Sequence, residues 1–169
     1  MNNISTHAFK SPLGELFVAV DEERALMRLQ FMHDVTREEL EEQARKGGAT
    51  VKRVKSHCAV VERQVKEYFR GKRTEFDLEL RPVGTDFQKR VWKTLSEIPY
   101  GETWSYAQVA EHVKSPKAVR AVGRTNGLNP IAVVVPCHRV IGSNGSLTGY
   151  AGGLDNKRFL LDLEAGVSV

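Results

Sequence analysis

The apolar run Ile131–Val135 ends in Pro136-Cys137-His138-Arg139 and continues as Val140-Ile141-Gly142. A buried run ordinarily ends in turn residues, whereas this one ends in a nucleophile beside two basic side chains. A free thiol with a pKa of about 8.5 is only about 3% thiolate at pH 7. A shift of about two units, worth about 2.7 kcal/mol, would make it mostly thiolate. His138 and Arg139 stand where they could supply that shift. The gain in reactive form is at most about 25-fold, so orientation and leaving-group stabilisation must carry the rest of any difficult reaction. A lone cysteine can equally be a small buried apolar residue. The polar neighbours and the glycine-rich stretch 142–153 (GSNGSLTGYAGG), a loop able to wall a pocket, argue against that here.

Charge placement adds a partner. The chain has 169 residues and a formal charge of +4. Between His112 and Leu154 lie Lys114, Lys117, Arg120, Arg124 and Arg139 with no acidic residue, while the remainder holds 20 basic against 21 acidic residues. A basic segment around a reactive group suggests an anionic partner such as nucleic acid, although a solvated surface gives the same composition. Cys58 and Cys137 are the two cysteines. With no CxxC pair, they argue against a disulfide framework or a structural zinc site and for a reducing, cytoplasmic setting. His57-Cys58 lacks further ligands, so no metal is expected. No leader-like segment and no run of 18 apolar residues is present, so neither export nor membrane insertion is expected.

The elements that must position these residues fall into two parts, 1–82 and 83–169. In the first, SPLGELFVAV and ALMRLQFM alternate like a hairpin across the polar DEER. Thr36 to Lys46 reads as a charged helix, and His57 to Arg70 as an amphipathic one with Val61 and Val65 inward. TEFDLEL alternates Phe76, Leu78 and Leu80 like a strand, and the segment to Gly84 resembles a linker. This part is expected to be scaffold. In the second, Thr85-Asp-Phe-Gln88 is a capping box opening a helix that buries Phe87, Val91 and Leu95. Ser105-Tyr-Ala-Gln108 opens another through Val113, and Ser115-Pro116 supplies an N-cap and first-turn proline for a third. The last two have the outline of a helix-turn-helix. At about 100° per residue, Lys117, Arg120 and Arg124 share a face with Ala121 and Gly127, and Val119 and Val122 point away. Small residues between cations allow close approach to DNA, with phosphate contacts that weaken as salt rises. A surface helix with solvated charges fits the same pattern.

PCHRVIG followed by TGYAGG, the upstream Asn129-Pro130, the YGETWSY turn and a closing helix ending at Glu164 resemble the O6-alkylguanine-DNA alkyltransferases, the methylated-DNA–protein-cysteine methyltransferase family. The resemblance spans about Asp86 to Glu164, and SPLGEL resembles the same family's N-terminal domain. It implies an α+β protein with an N-terminal α/β (ribonuclease H-like) domain and a mostly helical C-terminal domain carrying a winged helix-turn-helix. It also implies a monomer that binds the minor groove of double-stranded DNA and flips an alkylated guanine into a pocket, with no cofactor and no membrane.

By position, the resemblance makes Cys137 the acceptor of the alkyl group and His138 the relay of its proton, through a water, towards Glu164. Asn129 would hold the turn, and Tyr106 would sit near the extruded nucleotide and assist protonation of the leaving guanine. Arg120 would fill the gap in the stack, within a DNA-binding face of Lys117, Ala121, Gly123 and Arg124. Val140, Tyr150, Ala151 and Gly152 would line the base pocket. Flipping costs a few kcal/mol, offset in part by an inserted side chain and by stacking in the pocket. Ala151 stands where a serine is common, leaving only its backbone N–H, and Arg124 stands where a glycine can occur. The cysteine cluster of a phosphotriester-repair domain is lacking. A non-catalytic lesion sensor of the alkyltransferase-like type is the main alternative, and Cys137 counts against it. A plain winged-helix regulator and a Cys-His hydrolase are the others.

Overall fold

The computed structural model describes residues 2–169. They form two compact units that divide between Pro82 and Val83.

In the first unit, strands β1 (Asn2–Ser11), β2 (Gly14–Val20) and β3 (Leu26–Phe31) form an antiparallel meander, and β4 (Ala49–Arg53) adds parallel to β1, giving the order β3-β2-β1-β4. The expected hairpin is β2–β3. Strand β2 is buried from Leu16 to Val20, on both faces of the sheet. Phe17 and Ala19 pack with Ile4 and with Leu40 of helix α1 (Arg37–Lys46). On the opposite face, helix α2 (Ala59–Phe69) meets β1: Glu62 binds His7 at 2.7 Å, and Lys66 lies over the Phe9 ring. Thr36 caps α1 through a complete capping box.

Two expectations for this unit need correction. β1 and β4 were not foreseen, because polar Ser5, Thr6 and His7 break the apolar alternation. Thr6 is nevertheless fully buried, its hydroxyl donating to Glu41 at 2.8 Å. TEFDLEL is not a strand. Only Leu80 bridges to Leu26, and the backbone of Asp77 is held by the buried side chain of Gln64, which donates to Asp77 O (3.1 Å) and accepts from Asp77 N (2.9 Å). A side-chain amide satisfies here the groups that a neighbouring strand would have satisfied.

In the second unit, α3 (Asp86–Leu95) and α4 (Tyr106–His112) start at the two expected capping boxes, Thr85–Gln88 and Ser105–Gln108. Helix α3 buries Val91, Trp92 and Leu95, and Phe87 is only half-buried beneath Arg90. Trp92 Nε1 donates to Thr125 O (3.0 Å), fastening α3 to the end of α5 (Val119–Gly127). The start of α5 differs from expectation. Ala118 N donates to Ser115 O (2.9 Å), so Ser115-Pro116-Lys117-Ala118 closes a β-turn with proline at its second position, and helical residues begin only at Val119. Being in that first turn, Val119 is 36% exposed rather than inward, and Val122 is buried as expected. Strand β5 (Trp104–Ser105), just before α4, pairs in parallel with β6 (Val140–Ile141), just after the cysteine turn. Helix α6 (Leu154–Glu164) closes the unit. Among the described residues, no helix is long and apolar enough to cross a membrane.

Both caps are testable. Thr85→Ala and Ser105→Ala should each lower unfolding free energy by about 1 kcal/mol in chemical denaturation. An unchanged midpoint in both would contradict the capping geometry.

Candidate active site

The apolar run that leads to Cys137 is a coil of turns, not a strand. Val134 N donates to Ala132 O (2.8 Å), Val135 N to Ile131 O (3.0 Å) and Cys137 N to Val135 O (2.8 Å). Val133 sits at φ 70°, a left-handed conformation that a β-branched residue adopts at a cost of roughly 1–3 kcal/mol. Asn129 braces the coil: its Nδ2 donates to Val135 O (2.8 Å) and Ile131 O (3.3 Å), and its Oδ1 accepts from Ile131 N (3.0 Å). Asn126, on α5, donates to Cys137 O at 3.4 Å. The sequence reading missed Asn126, which no motif distinguishes.

Cys137 retains 6% exposure, and His138 and Glu164 are buried beside it. His138 Nε2 lies 2.7 Å from Glu164 Oε2. Arg139 donates from Nε to Glu164 Oε1 (2.7 Å), from Nη2 to Glu164 Oε2 (3.0 Å) and from Nη1 to Ile98 O (2.7 Å). Burial alone would raise the Glu164 carboxyl. The hydrogen bonds from His138 and Arg139 outweigh it and bring the pKa down to about 2. Burial also lowers His138, against the pull of Glu164, so the imidazole is neutral. An ionised carboxylate only accepts, hence Nε2 carries the proton and Nδ1 presents a lone pair. Nδ1 is buried and meets no protein partner among the described residues.

The thiol behaves otherwise than expected. Burial raises the Cys137 pKa, opposed by the Asn129 side chain and the charge of Lys157. His138 is neutral and the Arg139 charge is engaged by Glu164, so neither depresses it. The cation that does act on the sulfur is Lys157, fully buried on α6, with Nζ donating to Val140 O (2.6 Å) and Thr148 O (2.8 Å). The sequence reading overlooked Lys157 because its place in the helix reads as an ordinary solvated position.

The remaining candidates are placed as follows. Val140 is buried, Tyr150 has its hydroxyl wholly buried, Gly152 is half-buried and Ala151 is exposed. Tyr106, at the start of α4, reaches Thr148 Oγ1 at 3.1 Å, and its ring lies against Gly123, where an added Cβ would meet it at 3.7 Å. Lys117, Arg120, Ala121, Arg124 and Gly127 are all exposed, forming the cationic, small-residue face on and just before α5. Cys58 is fully buried, its thiol pushed up to about 11, and His57 Nδ1 lies 2.9 Å from Ser5 Oγ. Among the described residues, no cluster of three or more His, Cys, Asp or Glu could hold a metal ion.

The profile for the 6-O-methylguanine DNA methyltransferase ribonuclease-like domain matches residues 4–82, and that for its DNA binding domain matches residues 86–166. The chain belongs to the 6-O-methylguanine DNA methyltransferase family. A methylated-DNA–protein-cysteine methyltransferase of Methanosarcina mazei is 49% identical over 94% of this chain and 95% of its own length. Its counterpart in Mycobacterium bovis is 61% identical over 60% of this chain and 61% of its own length. The O6-methylguanine methyltransferase structure from Mycobacterium tuberculosis superposes with a TM-score of 0.83 at 42% identity, covering 98% of this chain and 95% of that one. OGT of the same organism in complex with DNA gives 0.81 at 44% identity, covering 97% and 93%. As a member of this family, the chain has an N-terminal ribonuclease-like domain and a C-terminal DNA-binding domain.

The buried pair sets an acid dependence. With its pKa depressed to about 2, Glu164 contributes stability that is fully present above its unfolded value of about 4.3 and is lost as pH falls through the folded one. His138, lowered by burial, adds a loss in the same direction from about pH 6.5 downward. Urea midpoints should therefore fall continuously below about pH 6.5. Glu164→Gln should cost roughly 3 kcal/mol at pH 7 and flatten the profile below about pH 5. An unaltered profile in that variant would remove Glu164 from this role.

Proposed function

We propose that this chain reverses alkylation damage in DNA, with Cys137 taking the alkyl group from O6-alkylguanine. The supporting observation is a buried carboxylate–imidazole pair on the residue next to Cys137, whose open nitrogen, His138 Nδ1, is a base. The thiol proton passes through a bound water to Nδ1, and Glu164 stabilises the imidazolium that forms. The sulfur attacks the alkyl carbon in line. A C–S bond forms as the C–O6 bond breaks, and its electron pair remains on the guanine, which is protonated with help from Tyr106. The product is a thioether and unmodified guanine. The C–S bond is not reopened, so each chain acts once.

The raised thiol pKa favours this order of events, because the thiolate forms only when the base is in place to receive the proton. Asn129 holds the Cys137 turn, and Lys157 keeps a positive charge near the developing thiolate. Val140, Tyr150, Ala151 and Gly152 line the base pocket, the Ala151 N–H being available to the growing charge on O6. Duplex DNA is bound as a monomer through its minor groove by the Lys117, Arg120, Ala121, Gly123 and Arg124 face, with Arg120 filling the gap left by the flipped base. O4-alkylthymine presents a similar alkyl–oxygen bond and is the second candidate substrate. The first unit acts as scaffold. The chain works in the cytoplasm, where Cys58 and Cys137 remain thiols.

Incubation with duplex DNA carrying O6-methylguanine should add one methylene to the Cys137 peptide, read by mass spectrometry. Cys137→Ala should abolish transfer while leaving lesion binding. Transfer surviving in that variant would refute the assignment, and an unmodified wild-type peptide would favour a lesion sensor. Arg120→Ala should slow repair in duplex DNA by about 10-fold or more, while dealkylation of the free base is spared. Equal effects on both would contradict a flipping role.

A further inference from the structure

The contact between Tyr106 and Thr148 has no part in the transfer chemistry. Tyr106 Oη lies 3.1 Å from Thr148 Oγ1 and 3.5 Å from Thr148 O, joining the first residue of α4 to the loop that follows β6. The same Thr148 carbonyl accepts from Lys157 Nζ at 2.8 Å. Thr148 is thus tied from two sides. The inner tie comes from a fully buried ammonium that also holds Val140 O at 2.6 Å, and it is sheltered from solvent. The outer tie joins a half-buried tyrosine to an exposed threonine, where water competes for both hydroxyls. Two residues further on, the Tyr150 hydroxyl is wholly buried, and burial first, then the negative charge a Cys137 thiolate would carry, push its pKa up. Cys137 retains only 6% exposure, so a substrate reaches its sulfur only when a neighbouring segment moves.

We propose that Thr148 is a specificity-determining residue: its contact with Tyr106 holds the 142–153 loop shut over Cys137 until duplex DNA engages Tyr106, so that a base delivered from DNA is accepted ahead of free base and other small electrophiles. The inference rests on the placement of Tyr106 at the extruded nucleotide given above. Tyr106 is suited to the exchange because it packs on Gly123 of α5, within the candidate DNA-binding face. One hydrogen bond between solvent-accessible groups shifts an open–closed equilibrium by about 2- to 10-fold. That is enough to discriminate and small enough for DNA binding to reverse.

Thr148→Val removes the hydroxyl while keeping the carbonyl bound by Lys157. Labelling of Cys137 by iodoacetamide, followed on its peptide with fully buried Cys58 as internal control, should be about 5-fold faster in this variant. Dealkylation of O6-methylguanine as the free base should rise by the same factor, and repair of the lesion in duplex DNA should not change. Tyr106→Phe should raise labelling equally, and combining the two substitutions should add nothing further. Equal labelling of wild type and Thr148→Val, additive effects in the double variant, or duplex and free-base rates rising together would each overturn the proposal. Faster labelling of Thr148→Val together with no alkyl transfer by the wild-type chain would count against the proposed function and leave the closure of the loop standing.

Discussion

The second unit is organised around the Glu164 carboxylate. Both of its oxygens accept hydrogen bonds in the interior, from His138 on one side and from two nitrogens of Arg139 on the other. Arg139 also binds Ile98 O, so one guanidinium connects the end of α6, the turn after α3 and the residue two places beyond the acceptor. Removing the carboxylate would leave a buried cation unpaired and the imidazole unoriented, which is far more costly than losing an exposed ion pair. The cluster explains why Arg139 contributes nothing to thiol ionisation: its charge is fully engaged in building the site.

That division of labour fixes the chemistry of the acceptor. A cysteine made acidic by adjacent cations would be a standing thiolate, open to oxidation and to any small electrophile. Burial here raises the thiol, and the compensating influences, the Asn129 amide and the Lys157 ammonium, only partly offset it. In the proposed function the nucleophile is made on demand through a neutral imidazole rather than stored. A protein that reacts once has reason to keep its thiol protonated until a substrate is aligned. The roughly 25-fold ceiling on what ionisation can contribute also means that alignment and leaving-group stabilisation matter more.

Local chemistry was legible in the sequence, and long-range satisfaction was not. The capping boxes at Thr85 and Ser105 announce their helices because cap and partner lie three residues apart. The clustering of Cys137, His138, Asn129 and Glu164 was reached through family resemblance, since 26 residues separate His138 from the carboxylate it binds. What stayed hidden were polar groups whose partners lie far along the chain. Thr6 is buried against Glu41, Gln64 binds the Asp77 backbone, and Lys157 binds two carbonyls. Each type is ordinarily exposed, so composition gave no reason to bury the side chain. Ser115-Pro116 is ambiguous for another reason: a β-turn and a helix start call for the same two residues, and only the Ala118–Ser115 bond separates them.

The cationic face and the acceptor make opposite demands on solvent. In the proposed function, the exposed Arg120 and Arg124 must stay hydrated and mobile enough to meet phosphates, whereas the buried Cys137, His138 and Glu164 need a dry, rigid surround. The fold reconciles them with a short seam. Strand β5 leads directly into α4 and pairs with β6, which directly follows the cysteine turn, so Trp104 lies opposite Val140 and Ser105 opposite Ile141. Tyr106 is the next residue after that seam and rests on Gly123 of α5. The β5–β6 pairs, the Tyr106 ring on Gly123 and the Asn126–Cys137 hydrogen bond are the contacts that join α4 and α5 to the cysteine turn. At Gly123 an added Cβ would make only ordinary contact with the Tyr106 ring, at 3.7 Å, so the ring and α5 pack at normal distance across this junction.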